Sequence, residues 1–241
     1  MNAAIITARA GSKSIRDKNV HPVQGMPLVA YPARAALAAE RIDRVFVSTD
    51  GESIARACVQ LGVEAMQRPE ELSGDTVNHG DVIKHAVESV DAMHPDLENV
   101  VILLGNTVMI DAATIDHCLE TLAAEPDLDS VMTVWEAADD HPLRALEIVG
   151  NLVRPYGDPD RQVSTERQSY PKAYYYDQGV WAFRKECVQR TDGPNPWWWM
   201  GKNCRPVIRP WVTGRDVHTE LDLGIAEWWL TRSASAGAET T

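Results

Sequence analysis

Over its first 140 residues the chain alternates short apolar runs with longer amphipathic ones, and this alternation constrains the fold more than any other feature. "AAIITA" (3–8), "RVFVST" (44–49), "VEAM" (63–66), "NVVILLG" (99–105) and "SVMTVWEA" (130–137) have strand length. Between them lie segments with helical period: 27–40, "ESIARACVQLG" closed by Gly62, "HGDVIKHAVESVDAM" and "TIDHCLETLAA". Strands that alternate with helices predict an α/β protein with a mainly parallel twisted sheet covered by helices on both faces. Ligands of such sheets bind at the carboxyl ends of the strands.

After residue 140 the rhythm changes. "HPLRALEIVGNLVRPY" and the polar "GDPDRQVSTERQSYPKAYYYD" predict a β-hairpin excursion or small lobe, "QGVWAFR" and "CRPVIRPWVT" returning strands, and "TELDLGIAEWWLTR" a last helix. The expected organisation is an α/β core over 1–140 and a lobe over 141–177 and 190–210. A return to the core follows over 178–189 and 211–232, with a frayed tail over 233–241. No run of about 18 uncharged apolar residues is present that could span a bilayer. The N-terminal apolar run lacks preceding basic residues, which argues against a secretory signal. The four cysteines are widely spaced with no CxxC pair, so reduced, buried thiols in a cytoplasmic protein are expected. A net charge of −12 argues against wrapping nucleic acid and requires that any anionic ligand be held locally.

One local candidate is the first loop, "ARAGSKSIRDKN". Ala10, Gly11 and Ser12 let a backbone approach a ligand closely, and Lys13, Arg16 and Lys18 add positive charge, a combination suited to a triphosphate. The loop has neither the GxxxxGK[ST] order of a P-loop nor a GxGxxG. In "GRDVHTELDL" (214–223), Asp216 and His218 alternate around Val217 and so share a face, the geometry of two side chains reaching one ion. Thr219 to Asp222 equally suit a helix start, with Thr219 as cap and Glu220 and Asp222 near the positive helix end.

The opening "IITARAGSKSIRDKNVHPVQGMPLVAYPA" and the later "VSTD", "RPEELSGDTV", "HPLRA" and "RQSYPKAYYYDQGVWAF" resemble the cytidylyltransferases that make CMP-sialic acid and, more distantly, CMP-Kdo. The resemblance covers most of the chain. It implies attack of an acceptor oxygen on the α-phosphate of CTP with release of pyrophosphate, assisted by Mg²⁺ or Mn²⁺, in a homodimer whose lobes reach the partner's active site. By the same resemblance Arg9, Ser12, Lys18 and Asn19 hold triphosphate and ribose, and Arg68, Ser73 and Thr76 complete the nucleotide pocket. Backbone groups around Ala8 and Ala10 read the cytosine edge, Arg144, Gln178 and Gly179 face a small anionic acceptor, and Lys202 approaches a neighbour's site.

Two departures bear on chemistry. Where the sialic acid enzymes carry "LLQPTSPLR" this chain has "LLGNTVMID", so Asn106 and Thr107 either touch the nucleotide and acceptor or cap the strand. Where the family carries an Asp-x-Asp pair, this chain has Asp216 and His218, leaving Asp216 as the metal ligand. In the more distant CMP-Kdo enzymes the first place reads "QGDEP", so Asn106 stands where they carry an Asp, and against that pattern both changes remove negative charge from the expected meeting point of acceptor and metal. An acceptor of the 2-keto sugar acid type is expected from the family, a phosphonate from the altered centre, and nucleotide binding without catalysis is a further alternative. Trp197, Trp198 and Trp199 stand in a row, which suggests either packing on their own domain or a subunit interface.

Overall fold

The computed structural model describes residues 1–158 and 162–238. In chain order the main elements are β1 (Asn2–Thr7), β2 (Pro22–Val23), β3 (Met26–Pro27), α1 (Ala30–Ala38), β4 (Arg44–Thr49), α2 (Glu52–Val59), β5 (Glu64–Gln67) and α3 (His79–Met93). They continue with β6 (Asn99–Leu104), α4 (Ala112–Ala124), β7 (Ser130–Glu136), β8 (Leu146–Val149), β9 (Leu152–Pro155), β10 (Tyr174–Arg184), β11 (Cys204–Ile208) and α5 (Glu220–Ala238). A seven-stranded sheet has the order β11-β7-β10-β6-β1-β4-β5. Only β10 runs against its neighbours, pairing antiparallel with both β6 and β7.

Alternation along the strands divides the core into two layers. Ala4 and Ile6 face α1, α2 and α4, packing with Ala33, Ile54 and Ile115. Ala3 and Ile5 face the other way, with Ile83, Val87 and Val90 of α3 and with Trp181 and Phe183. Each fully buried Ile, Leu or Phe in these layers contributes about 1.5–3 kcal/mol, which is why a run such as "NVVILL" is stable only between two covered faces. Helix starts are fixed by side chains: Asn78 Oδ1 accepts from Gly80 N at 2.8 Å, and Asp111 Oδ1 from Thr114 N at 2.7 Å.

The tryptophan run packs on its own subunit. Trp199 is buried, and half-buried Trp197 and Trp198 lie against the same core layer, in and beside a tight turn at Trp198–Met200. Three adjacent aromatics reach one core because this turn rotates successive side chains, which an extended segment does not. Gly80 of α3 makes the contact possible: a Cβ there would lie 2.5 Å from Trp198 Nε1 and 2.8 Å from Trp199 Cε3.

The expected lobe shrinks accordingly. Residues 204–208 form the edge strand β11 of the main sheet, and β10 begins at Tyr174, so these parts of the ranges 190–210 and 141–177 belong to the main sheet. What projects is the hairpin β8–β9, a two-stranded sheet whose eight residues are all exposed. Helix α5 continues to Ala238, through most of the tail expected to fray, and 239–241 lie outside the described residues. Cys58 and Cys118 are buried thiols pushed up to about 12 by burial, as expected of unreactive core residues. Among the described residues no helix is long and apolar enough to cross a membrane.

Candidate active site

The carboxyl ends of β1, β5 and β6 open onto a cleft of about 180 Å³ lined by Thr7, Ala8, Arg9, Ser12, Lys18, Asn19, Arg68, His79 and Asn106 among others. The strands meet closely here because residue 105 is glycine: a Cβ would lie 2.6 Å from the Ala8 Cβ. The first loop wraps one side. Asn19 is buried and donates to Arg9 O at 2.8 Å, pinning the loop back on itself. Arg9 and Lys13 both pair with Asp75, at 2.6 and 2.5 Å. Their cations, which the sequence offers to an anion, are thus shared with an acid from the β5–α3 connection.

Several sequence-predicted residues lie in the cleft and others do not. The N–H groups of Ala8 and Ala10 are committed within the chain, to Ser48 O at 3.1 Å and to an Asp50 carboxylate oxygen at 2.8 Å, so neither is available to donate to a base edge. Ser73 is turned back onto Pro69 O at 2.9 Å, and neither it nor exposed Thr76 lines the cleft. Gly11, at φ +69°, does not line this cleft but a small neighbouring cavity beneath the loop, with Ala10, Ser12 and Lys18. Arg68 is buried, with its guanidinium fixed by Ser48 O at 2.6 Å and Ser48 Oγ at 3.3 Å.

The far wall comes from the segment before α5. Val217 is buried, and Asp216 and His218 flank it on one side, with His218 Nε2 at 2.8 Å from Asp216 Oδ2. The shared face expected from strand spacing is present, although the segment pairs as no strand. Asn106 ties it to β6: its amide donates to Asp216 Oδ2 at 2.8 Å and to Val217 O at 3.0 Å, while Val217 N donates to Asn106 O at 2.9 Å. Lys18 donates to Val217 O at 2.7 Å. Burial pulls the Lys18 pKa below its usual value, Asp216 pulls it back, and Arg9 adds to the fall. Thr107, by contrast, is a buried strand cap that donates to Gln178 O at 2.9 Å.

Beyond Asp216 lies a second cleft of about 330 Å³, lined by Gln178, Arg215, His218 and the rings of Trp135, Tyr175 and Trp211. Asp216 belongs to this cleft, and Asn106, its hydrogen-bond partner, to the first, so the carboxylate stands between the two. Gln178 is turned outward by a bulge in β10 between Tyr176 and Trp181. The bulge is held from inside by buried Asp177, which accepts from Gly179 N at 2.8 Å and from Thr133 Oγ1, and lies 3.3 Å from buried Arg209. Burial raises the Asp177 carboxyl pKa above its usual value against the opposing pull of Thr133 and Arg209.

Arg144 and Lys202 are not brought to either cleft in this chain. Arg144 is exposed beside Asp139, and Lys202 lies 3.6 Å from Asp192 next to β11. Gly179 is buried in the bulge and acts through backbone geometry. Sequence reasoning missed His79, Asp75, the Asp177–Arg209 pair and the aromatic walls. The signal that could have pointed to His79 is the capping residue Asn78 directly before it.

A mostly parallel α/β sheet with a cationic cleft at its strand ends, divided by one carboxylate from a second cleft, has its clefts where ligands of such sheets bind. The sequence pattern of the cytidylyltransferase family matches residues 3–189, and the chain belongs to that family: it is a cytidylyltransferase, a kind of nucleotidyltransferase. It is 26% identical over 228 residues to post-translational flagellin modification protein B of Campylobacter coli, covering 93% of each chain. To N-acylneuraminate cytidylyltransferase of Escherichia coli O18:K1:H7 it is 33% identical over 54% of this chain, but it spans only 30% of that enzyme's length. The fold is similar to that of CMP:2-keto-3-deoxy-manno-octonic acid synthetase in complex with CTP, with TM-score 0.70 and 16% identity over 96% of this chain and 99% of the other. It is also similar to that of 4-diphosphocytidyl-2C-methyl-D-erythritol synthase of Anaerococcus prevotii, with TM-score 0.62 and 17% identity over 95% of this chain and 96% of the other.

Proposed function

We propose that the protein transfers CMP from CTP to an acidic sugar of the sialic, pseudaminic or Kdo type. The acceptor's hydroxyl oxygen forms a bond to the α-phosphorus, the bond from that phosphorus to the β-phosphate bridging oxygen breaks, and pyrophosphate leaves. The observation that carries this proposal is the placement of Asp216 between a cationic cleft and a separate cleft with aromatic walls. Support also comes from the names of relatives, which include N-acylneuraminate and pseudaminic acid cytidylyltransferases.

In this scheme Lys18, Arg9 and Ser12 face the triphosphate, Arg68 and Asn19 shape the nucleoside end, and Gln178 and Arg215 face the acceptor. Arg144 and Lys202 reach an acceptor only from a second copy. The proton of the attacking hydroxyl passes to the Asp216–His218 pair. Among the described residues no group of three or more His, Cys, Asp or Glu side chains is placed to hold a metal ion. One carboxylate fits Mg²⁺ or Mn²⁺ shared with phosphate oxygens, since such ions are held by one or two carboxylates together with substrate phosphates. Asp216 would hold the ion, which supplies positive charge against the charge developing on the leaving group. The exposed β8–β9 hairpin supports a homodimer.

One observation favours a phosphonate acceptor as a second possibility. Asp216 Oδ2 takes a hydrogen bond from the neutral Asn106 amide and faces the His218 ring, so the centre has a single carboxylate where the related pattern has two. An acceptor that arrives as a dianion needs no base and gains from the missing charge. Pyrophosphate release from CTP and Mg²⁺, measured with 2-keto sugar acids and with alkylphosphonates, separates the two. Turnover with sugar acids alone supports the first, and turnover with phosphonates alone replaces it with the second.

A further inference from the structure

The nucleotide cleft has two chemically different ends. Arg9 and Lys18 bring cations to the loop side, where they suit phosphates. Where β1 stops and α3 starts, the lining is Thr7, His79 and the immobilised Arg68. His79 is the first residue of α3, and its Nε2 lies 3.0 Å from Thr7 Oγ1. Its ring is wedged edge-on against Trp181 and Trp199, with centroids 5.9 and 6.3 Å away. These rings enclose it on the core side, and the part of its surface that remains accessible opens into the cleft.

We infer that His79, together with Thr7, is a specificity residue of the nucleotide site that reads the hydrogen-bonding edge of the base. This rests on CTP being the nucleotide bound. Burial, assisted by the Arg68 cation, lowers the His79 pKa to about 4, so at neutral pH the ring is uncharged. With Nε2 bonded to Thr7 Oγ1, the neutral pair keeps one donor and one acceptor, one on Nδ1 and the other on the Thr7 hydroxyl, matched to the mixed edge of a heterocycle and poorly matched to a phosphate. The tryptophans fix the ring's plane, and Thr7, at the rigid end of a central strand, fixes its Nε2. A rotation that would let the pair accept a different base edge is therefore resisted by the core itself. Discrimination of this kind is strong where a mismatch leaves a buried polar group unpaired.

Equilibrium binding to the full chain tests this, with CTP, UTP and inorganic tripolyphosphate as ligands. His79→Phe keeps an aromatic ring between the tryptophans and removes both ring nitrogens. Loss of about 10-fold in CTP affinity, a CTP-to-UTP ratio moved toward one, and unchanged tripolyphosphate affinity are expected. Thr7→Val, nearly equal in volume, is expected to shift the ratio in the same direction. Wild-type CTP affinity and discrimination in both variants would overturn the inference. So would equal losses for CTP and tripolyphosphate, which would make His79 a packing residue only. A wild-type chain that prefers another nucleoside triphosphate would instead overturn the CTP assignment, and the variants are then scored on that nucleotide.

Discussion

Asp222 gathers four donors on one buried carboxylate: Arg215 Nη2 at 2.6 Å, Thr219 N and Thr219 Oγ1 both at 2.8 Å, and His218 N at 3.1 Å. Thr219 Oγ1 in turn lies 3.4 Å from Asp222 N, so the two residues form a reciprocal capping box at the start of α5. Burial alone would raise the Asp222 pKa, but Arg215, Thr219 and His218 outweigh it and bring it down to about 2. The folded pKa is thus below the unfolded value near 4. The stabilisation is therefore complete above about pH 4 and is lost as pH falls through about 2. Asp222→Asn should cost about 2 kcal/mol in urea unfolding at pH 6 and should flatten the dependence of stability on pH between about 4 and 2. Asp216, six residues earlier, should behave oppositely. Asp216→Asn is expected to leave the unfolding midpoint near wild type while turnover, followed by pyrophosphate release, drops by roughly 100-fold or more. A large loss of stability with turnover retained would reverse the two assignments.

Elements are locked at two points where one residue carries a contact between layers. At Gly80, α3 touches the tryptophan turn with no room for a side chain. Gly80→Val is expected to destabilise by about 1–3 kcal/mol through overpacking. Because His79 is the adjacent residue, CTP affinity should fall with it. In the bulge of β10, Asp177 and Arg209 are both buried, and Arg209 Nη2 also donates to Met109 O at 2.5 Å, joining β11 to the loop after β6. Asp177→Ala leaves the guanidinium unpaired in the core, and a loss of about 3–5 kcal/mol is expected. The double variant Asp177→Leu, Arg209→Met should recover much of that stability. Recovery without restored acceptor KM would assign the pair to positioning Gln178, whereas recovery of both would assign it to packing alone.

At the scale of the whole molecule, the hairpin β8–β9 contributes no residue to the buried hydrophobic clusters of the described residues. Ile148 is 78% exposed, and Leu146, Leu152 and Val153 are each 63% exposed. A two-stranded sheet is marginal by itself in water, and apolar side chains exposed together at this level suit a surface covered by another chain. Ile148→Lys with Val153→Lys should convert a dimer to a monomer in sedimentation velocity while circular dichroism stays unchanged. A monomeric wild-type chain would remove the route by which Arg144 reaches an acceptor.

Much of this architecture was legible beforehand. The parallel layers of β1, β4, β5 and β6 follow from alternation, because a fully buried strand and a half-buried helix leave different periods. The family loop and the shared face of Asp216 and His218 follow from spacing that local backbone geometry alone enforces. Other features depend on which surfaces meet. The tryptophans turned inward because a tight turn and Gly80 gave them a core to enter, and the amides of Ala8 and Ala10 were claimed by Ser48 of β4 and by Asp50 just beyond it. His79 became a neutral group at the base of the cleft through burial beside Arg68 and two tryptophans distant in sequence. Local periodicity thus determined the elements and their order, whereas desolvation and long-range hydrogen bonding, which exist only once the layers pack, decided what each polar side chain was free to do.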